Sequence, residues 1–148
     1  MKIFLDTASL KEIKEAATLG VVDGITTNPS LLAKEGGDPE AILLEICRII
    51  DGPISAEVVA TEAEGMVGEG RHLASLHPNI VVKTPCIPEG LKAAKTLSSE
   101  GTRINMTLIF SATQALGFGM VWIALIIFCV ESLLSRRTIP AKPVPELR

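Results

Sequence analysis

Residues 79–85 read Asn79-Ile80-Val81-Val82-Lys83-Thr84-Pro85. Three β-branched aliphatic residues run straight into a lysine, and a proline follows. Asn79 to Thr84 therefore reads as a strand, and an apolar run of this kind suits a parallel sheet covered on both faces. Amphipathic stretches flank it on both sides. Upstream, Thr61-Glu62-Ala63-Glu64 is a capping-box pattern that opens a helix to about Leu76. Downstream, Pro88 begins a helix to about Ser99, because proline is tolerated in a first turn.

The same alternation extends outward. Lys2 to Asp6, Val21 to Thr27, Ile54 to Val59 and Arg103 to Phe110 read as further strands. Ser9-Leu10-Lys11-Glu12 is a second capping box, with its helix running to about Leu19 and ended by Gly20. Asp38-Pro39 supplies a cap and a first-turn proline ahead of Ile42, Leu43, Ile46, Ile49 and Ile50 at helical spacing. The result is a βα unit repeated five times, with another helix expected from Ser111. Strands alternating with helices imply parallel pairing through helical crossovers. An open doubly wound sheet and a closed (β/α)8 barrel are the two architectures that fit. Thr7-Ala8-Ser9 stands where a glycine-rich phosphate loop would follow the first strand, which weakens the nucleotide-binding reading.

Composition narrows the function. In 148 residues, 47% are hydrophobic and 21% charged, which is globular and excludes wholesale disorder. A net charge of −3 leaves no basic footprint for nucleic acid, and 3% aromatics leave no base-stacking platform. Cys47, Cys86 and Cys129 lack CxxC spacing, and the two histidines, His72 and His77, are too few for a His-rich metal centre. Asp6 interrupts any signal-peptide core, so a cytoplasmic location is expected.

The chain changes character near Leu116. No charge occurs between Arg103 and Glu131, and Leu116 to Val130 is almost wholly apolar. The expected organisation is a barrel-type unit at 1–116, an apolar helical segment at 117–135 and a proline-rich irregular tail at 136–148. The apolar core is shorter than the ~20 residues that span a bilayer. A segment of unrelated sequence, a buried helix and a membrane association are the three readings of it, with the first preferred.

In parallel βα folds the chemistry gathers at the C-terminal strand ends. Those ends carry Asp6, then Thr26-Thr27-Asn28-Pro29, then Glu57, Lys83, and Asn105 with Thr107. Asn105 and Thr107 lie two apart and so share a face. Burial of Lys83 would disfavour its charged form, and a neutral amine can attack a carbonyl to form a Schiff base. A strand-end lysine snorkelling to solvent is the competing reading. Asp6 and Glu57 are candidate acid/base groups, or ordinary ion-pair and capping acids. Thr27, Asn28, Asn105 and Thr107 are candidate partners of substrate hydroxyls, or turn and capping residues. Cys86, His72 and His77 read as bystanders.

The segments MKIFLDTA, GVVDGITTNPSLLAKEG, ISAEVVAT, NIVVKTP, EGLKAAKTLSSEG and INMTLIFSATQAL, in this order over residues 1–116, resemble the transaldolase family, in its short bacterial branch that includes fructose-6-phosphate aldolase. The resemblance implies a (β/α)8 TIM-type barrel, here truncated after about five βα units and followed by an atypical hydrophobic C-terminal segment. It implies a class I aldol mechanism in which a dihydroxyacetone unit passes from a ketose phosphate to an aldose phosphate, as in the pentose phosphate pathway. By resemblance, Lys83 forms the Schiff base, Asp6 is the acid/base of carbon–carbon cleavage, and Glu57 with Thr107 holds the water of imine formation and hydrolysis. Asn28 and Asn105, with Thr27 beside them, would bind the donor sugar. The aldolase branch places glutamine where this chain has Glu57, which favours the transaldolase reading. The resemblance implies no metal and no organic cofactor, and the partners it implies are sugar phosphates and further copies of the chain. The family's sixth strand carries a serine and an arginine for the substrate phosphate. GFGMVWIALIIFCVESLLSRR does not match it, and Arg136 and Arg137 are not in that motif. The reading is therefore a transaldolase-type enzyme impaired in this chain, and the alternatives are a fructose-6-phosphate aldolase-like activity and a non-catalytic truncated or frameshifted product with an incomplete phosphate site.

Overall fold

Five short strands lie side by side in the order of the sequence, every neighbouring pair parallel. The computed structural model describes residues 1–111; Met1–Leu108 form one unit, and residues 109–111 belong to a second, Ile109–Arg148. The elements are β1 (Phe4–Asp6), α1 (Leu10–Ala17), β2 (Gly24–Thr26), α2 (Pro29–Glu35), α3 (Pro39–Ile49), β3 (Ile54–Glu57), α4 (Ala63–Leu76), β4 (Ile80–Pro85), α5 (Pro88–Ser99) and β5 (Ile104–Thr107). An open doubly wound sheet reverses its strand order at a switch point. Here each crossover returns beside the strand just left, so the sheet curls as part of a (β/α) barrel. The helix expected from Ser111 onward, the apolar segment 117–135 and the tail 136–148 lie outside the described residues.

The core fills the space between strands and helices. Ile25 and Ile54 meet Ile13 of α1 and Leu43 and Ile46 of α3 in one cluster. Val82 meets Met66 of α4 and Ala93 and Leu97 of α5 in another. Each large aliphatic side chain fully buried there contributes about 1.5–3 kcal/mol. Two glycines permit close approach between elements. A Cβ on Gly90, in the first turn of α5, would stand 1.9 Å from the Pro85 carbonyl oxygen. A Cβ on Gly52 would stand 2.0 Å from the Asp23 carbonyl oxygen.

Several local expectations are corrected. β1, β2, β3 and β5 are shorter than the apolar runs suggest, while β4 keeps its expected length one residue further on; α1 stops at Ala17 before a turn closed by Gly20 at φ +66°. Ser9 does not cap α1 with its side chain. Thr7 takes over: its hydroxyl accepts from the Ser9 amide at 3.1 Å and donates to Glu12 at 2.7 Å. The capping box at Thr61-Glu62-Ala63-Glu64 also fails to form, since α4 begins at Ala63 without a side-chain cap from its N-cap residue. The Ala63 amide donates instead to Glu89 of α5, at 3.2 Å. Asp38 does cap α3, accepting from the Glu40 amide at 3.2 Å. Helix α2 is additional to the sequence reading. Its signal was present in Asn28-Pro29, an N-cap residue followed by a first-turn proline.

Candidate active site

Register decides which strand residues share a face. Asp6 pairs with Thr26, and Thr26 with Ser55. Glu57 pairs with Lys83, and Lys83 with Asn105. Residues two apart on a strand point the same way. Asp6, Thr26, Ser55, Glu57, Lys83, Asn105 and Thr107 therefore line one side of the sheet, the side turned away from the helices that cover Ile25, Ile54 and Val82.

At the centre of this face Lys83 Nζ lies 3.1 Å from Glu57 Oε2, and the two side chains are only 12% and 15% exposed. Nζ also donates to the Thr27 carbonyl at 3.2 Å. The lysine thus does not snorkel into solvent, and its head group meets a carboxylate and a carbonyl rather than aliphatic neighbours alone. Ile80 and Val82, the apolar residues beside it in sequence, face the helices and leave the polar side to the inner residues. On β1, Asp6 Oδ1 accepts from the Thr26 hydroxyl at 2.8 Å and remains exposed. On β5, Asn105 Nδ2 donates to Ser55 Oγ at 3.1 Å. The Thr107 carbonyl accepts from the Cys86 amide at 2.8 Å, which ties the end of β5 to the loop after β4.

Thr27 lies one step out of register with this face; it is 0% exposed, and its hydroxyl donates to the Ser55 carbonyl at 2.8 Å. Only its backbone oxygen reaches Lys83. Thr26, beside it in sequence, presents the hydroxyl to the site instead. Asn28 caps α2 by accepting from the Leu31 amide at 2.9 Å, so its Oδ1 is engaged and its amide nitrogen remains for a ligand. Thr26 and Ser55 are absent from the sequence-derived candidates, because nothing local distinguishes them from other strand hydroxyls.

The remaining reactive groups stand apart. His72 Nε2 lies 2.8 Å from Glu40 between two helices, and His77 Nδ1 accepts from the Asn79 amide at 3.1 Å. Burial pushes the Cys47 thiol up from its ordinary value, which makes it a packing residue. Among the described residues, no group of three or more His, Cys, Asp or Glu side chains could hold a metal ion.

This constellation on a parallel βα sheet can be set beside known proteins. The transaldolase/fructose-6-phosphate aldolase family profile matches residues 3–120. The chain belongs to that family. A probable transaldolase of Clostridium perfringens strain 13 is 62% identical over 116 residues, which cover 78% of this chain and 54% of that protein. Probable transaldolases of Desulfatibacillum aliphaticivorans and Caldicellulosiruptor saccharolyticus are each 59% identical over the same shares. The chain thus spans about half the length of the curated relatives it matches. No helix among the described residues is long and apolar enough to cross a membrane.

Proposed function

We propose that this chain performs the Schiff-base chemistry of a transaldolase on a ketose phosphate donor in the cytoplasm. The observation that carries the reading is the largely buried Lys83–Glu57 contact of 3.1 Å on the inner face of the sheet. Once Glu57 or a bound water has taken a proton from the ammonium group, Nζ attacks the ketone carbon. Loss of water leaves a protonated imine. Asp6 then removes the proton from the hydroxyl on the carbon β to the imine carbon. The bond between the α and β carbons breaks, its electron pair moves onto the imine nitrogen, and an aldehyde leaves. The enamine left on Lys83 attacks an acceptor aldehyde by the reverse steps, and water held by Glu57 and Thr107 hydrolyses the new imine. Asn28 and Asn105 bind hydroxyls of the three-carbon unit. The Thr26 hydroxyl, hydrogen-bonded to Asp6, supports the placement of that carboxylate at the cleaved bond. A carboxylate at position 57 favours group transfer over free aldol cleavage.

Sodium borohydride added with fructose 6-phosphate tests the reading. The imine would be reduced to a stable secondary amine, and peptide mass spectrometry should find the adduct on Lys83. Equal labelling of the Lys83→Ala variant would remove the assignment of the nucleophile.

A further inference from the structure

The inner face carries a hydroxyl that the steps above leave unused. Ser55 sits on β3, two residues before Glu57, and is 3% exposed. It pairs with Val81, while Asn105 pairs with Lys83 two residues further along β4. The hydrogen bond from Asn105 Nδ2 to Ser55 Oγ therefore spans β4 diagonally, between the positions of Val81 and Lys83. It ties the strand on one side of the lysine to the strand on the other.

A carboxamide has two unlike ends of nearly equal size, and half a turn exchanges donor for acceptor. Ser55 Oγ can accept from the nitrogen or donate to Oδ1, so it fixes where the carboxamide lies and not which end faces a ligand. Asn28 is held by its oxygen: its Oδ1 is engaged by the Leu31 amide, and its nitrogen is left to donate.

We infer that Ser55 is a positioning residue, which holds the carboxamide of Asn105 across β4 where it hydrogen-bonds one donor-sugar hydroxyl while Asn28 donates to another. The inference rests on the Schiff-base reading and names how the donor sugar is held. It makes Ser55 matter for donor affinity and not for the imine chemistry at Nζ.

The test measures borohydride trapping at graded fructose 6-phosphate concentrations for the parent chain, Ser55→Ala and Ser55→Thr. In Ser55→Ala the half-saturating concentration should rise roughly 3- to 10-fold, the value of one orienting hydrogen bond. The maximal trapping rate should stay within about twofold, since the bond does not touch the reacting atoms. Ser55→Thr keeps the hydroxyl and should return the half-saturating concentration towards the parent's. Should the threonine methyl not fit, Asn105→Ala made with and without Ser55→Ala replaces it, and the two changes must then be non-additive. A purely structural role would lower the amount of reactive protein and leave half-saturation unmoved; that result, or additivity, overturns the inference alone. A parent chain that gives no adduct overturns the Schiff-base reading itself, and this inference with it.

Discussion

Replacing Lys83 by methionine keeps the length of the side chain and removes its charge. In the native fold this strands the Glu57 carboxylate, 15% exposed, without the ammonium group 3.1 Å away. It also removes the donor to the Thr27 carbonyl. Breaking a buried ion pair by removing one partner costs 3–5 kcal/mol because the other charge is left uncompensated. Residual exposure of both groups puts the expected loss at the low end, about 3 kcal/mol. With a urea slope of about 1.5 kcal/mol/M, the unfolding midpoint should fall by about 2 M. Glu57→Gln leaves Lys83 a carbonyl and an amide oxygen, so its cost should be smaller, about 1–2 kcal/mol. The double variant should recover most of the loss, because a neutral pair of similar volume has no charge to desolvate. Urea unfolding followed by circular dichroism on all four proteins gives the coupling energy. Strictly additive single effects, or a Lys83→Met variant as stable as the parent, would refute the idea that this pair is structurally coupled in a dry site. The borohydride adduct must vanish in Lys83→Met whatever the stability result, which separates the two roles of the residue.

Three further outcomes are expected. Gly90→Ala forces a Cβ against the Pro85 carbonyl oxygen at 1.9 Å, and backbone cannot rotate away; it should lower stability by about 1–3 kcal/mol, while Gly68→Ala in α4, whose added Cβ meets nothing within 4 Å, should not. Asn28→Ala removes the α2 cap and should cost about 1 kcal/mol by urea unfolding. Asn28→Asp keeps the cap acceptor but not the amide donor, so it should keep stability and lose donor affinity in the trapping assay. Finally, Lys92 and then the Ala63 amide hold the Glu89 carboxyl below its ordinary value of 4.5, and Arg71 does the same for Glu100. Lowered carboxyl values stabilise the fold above 4.5 and lose that contribution as pH falls through the folded-state values. The urea midpoint should therefore drop as pH is lowered from about 6 to about 3, and Glu89→Gln should flatten that drop.

Much of the fold was legible because periodicity is local. The strand at 79–84 and the helices opened by Pro39 and Pro88 follow from side-chain shape and capping chemistry, and they lie within a residue or two of the observed elements. The failed capping boxes show where local rules lose. Glu12 and the amide of Ala63 each found a better partner, in Thr7 and in Glu89, and the second of these lies 26 residues away. Helix α2 escapes the sequence reading although Asn28-Pro29 announces it, since an asparagine before a proline fits a turn and a ligand equally well. The strand-end acids and the lysine were visible as candidates because βα topology gathers such residues on one rim.

Spacing along the chain established that Asn105 and Thr107 lie on a common side of their strand. It could not establish how one strand sits against the next. That is a long-range property, set when the helices pack over Ile25, Ile54 and Val82, and a slip of one residue turns every side chain to the other face. The pairing of Asp6 with Thr26 puts Thr26 inside and Thr27 outside. The pairing of Lys83 with Glu57 and Asn105 brings a buried amine, an acid and an amide onto neighbouring strands. The residue types came from the chain itself; their meeting came from the register of five parallel strands.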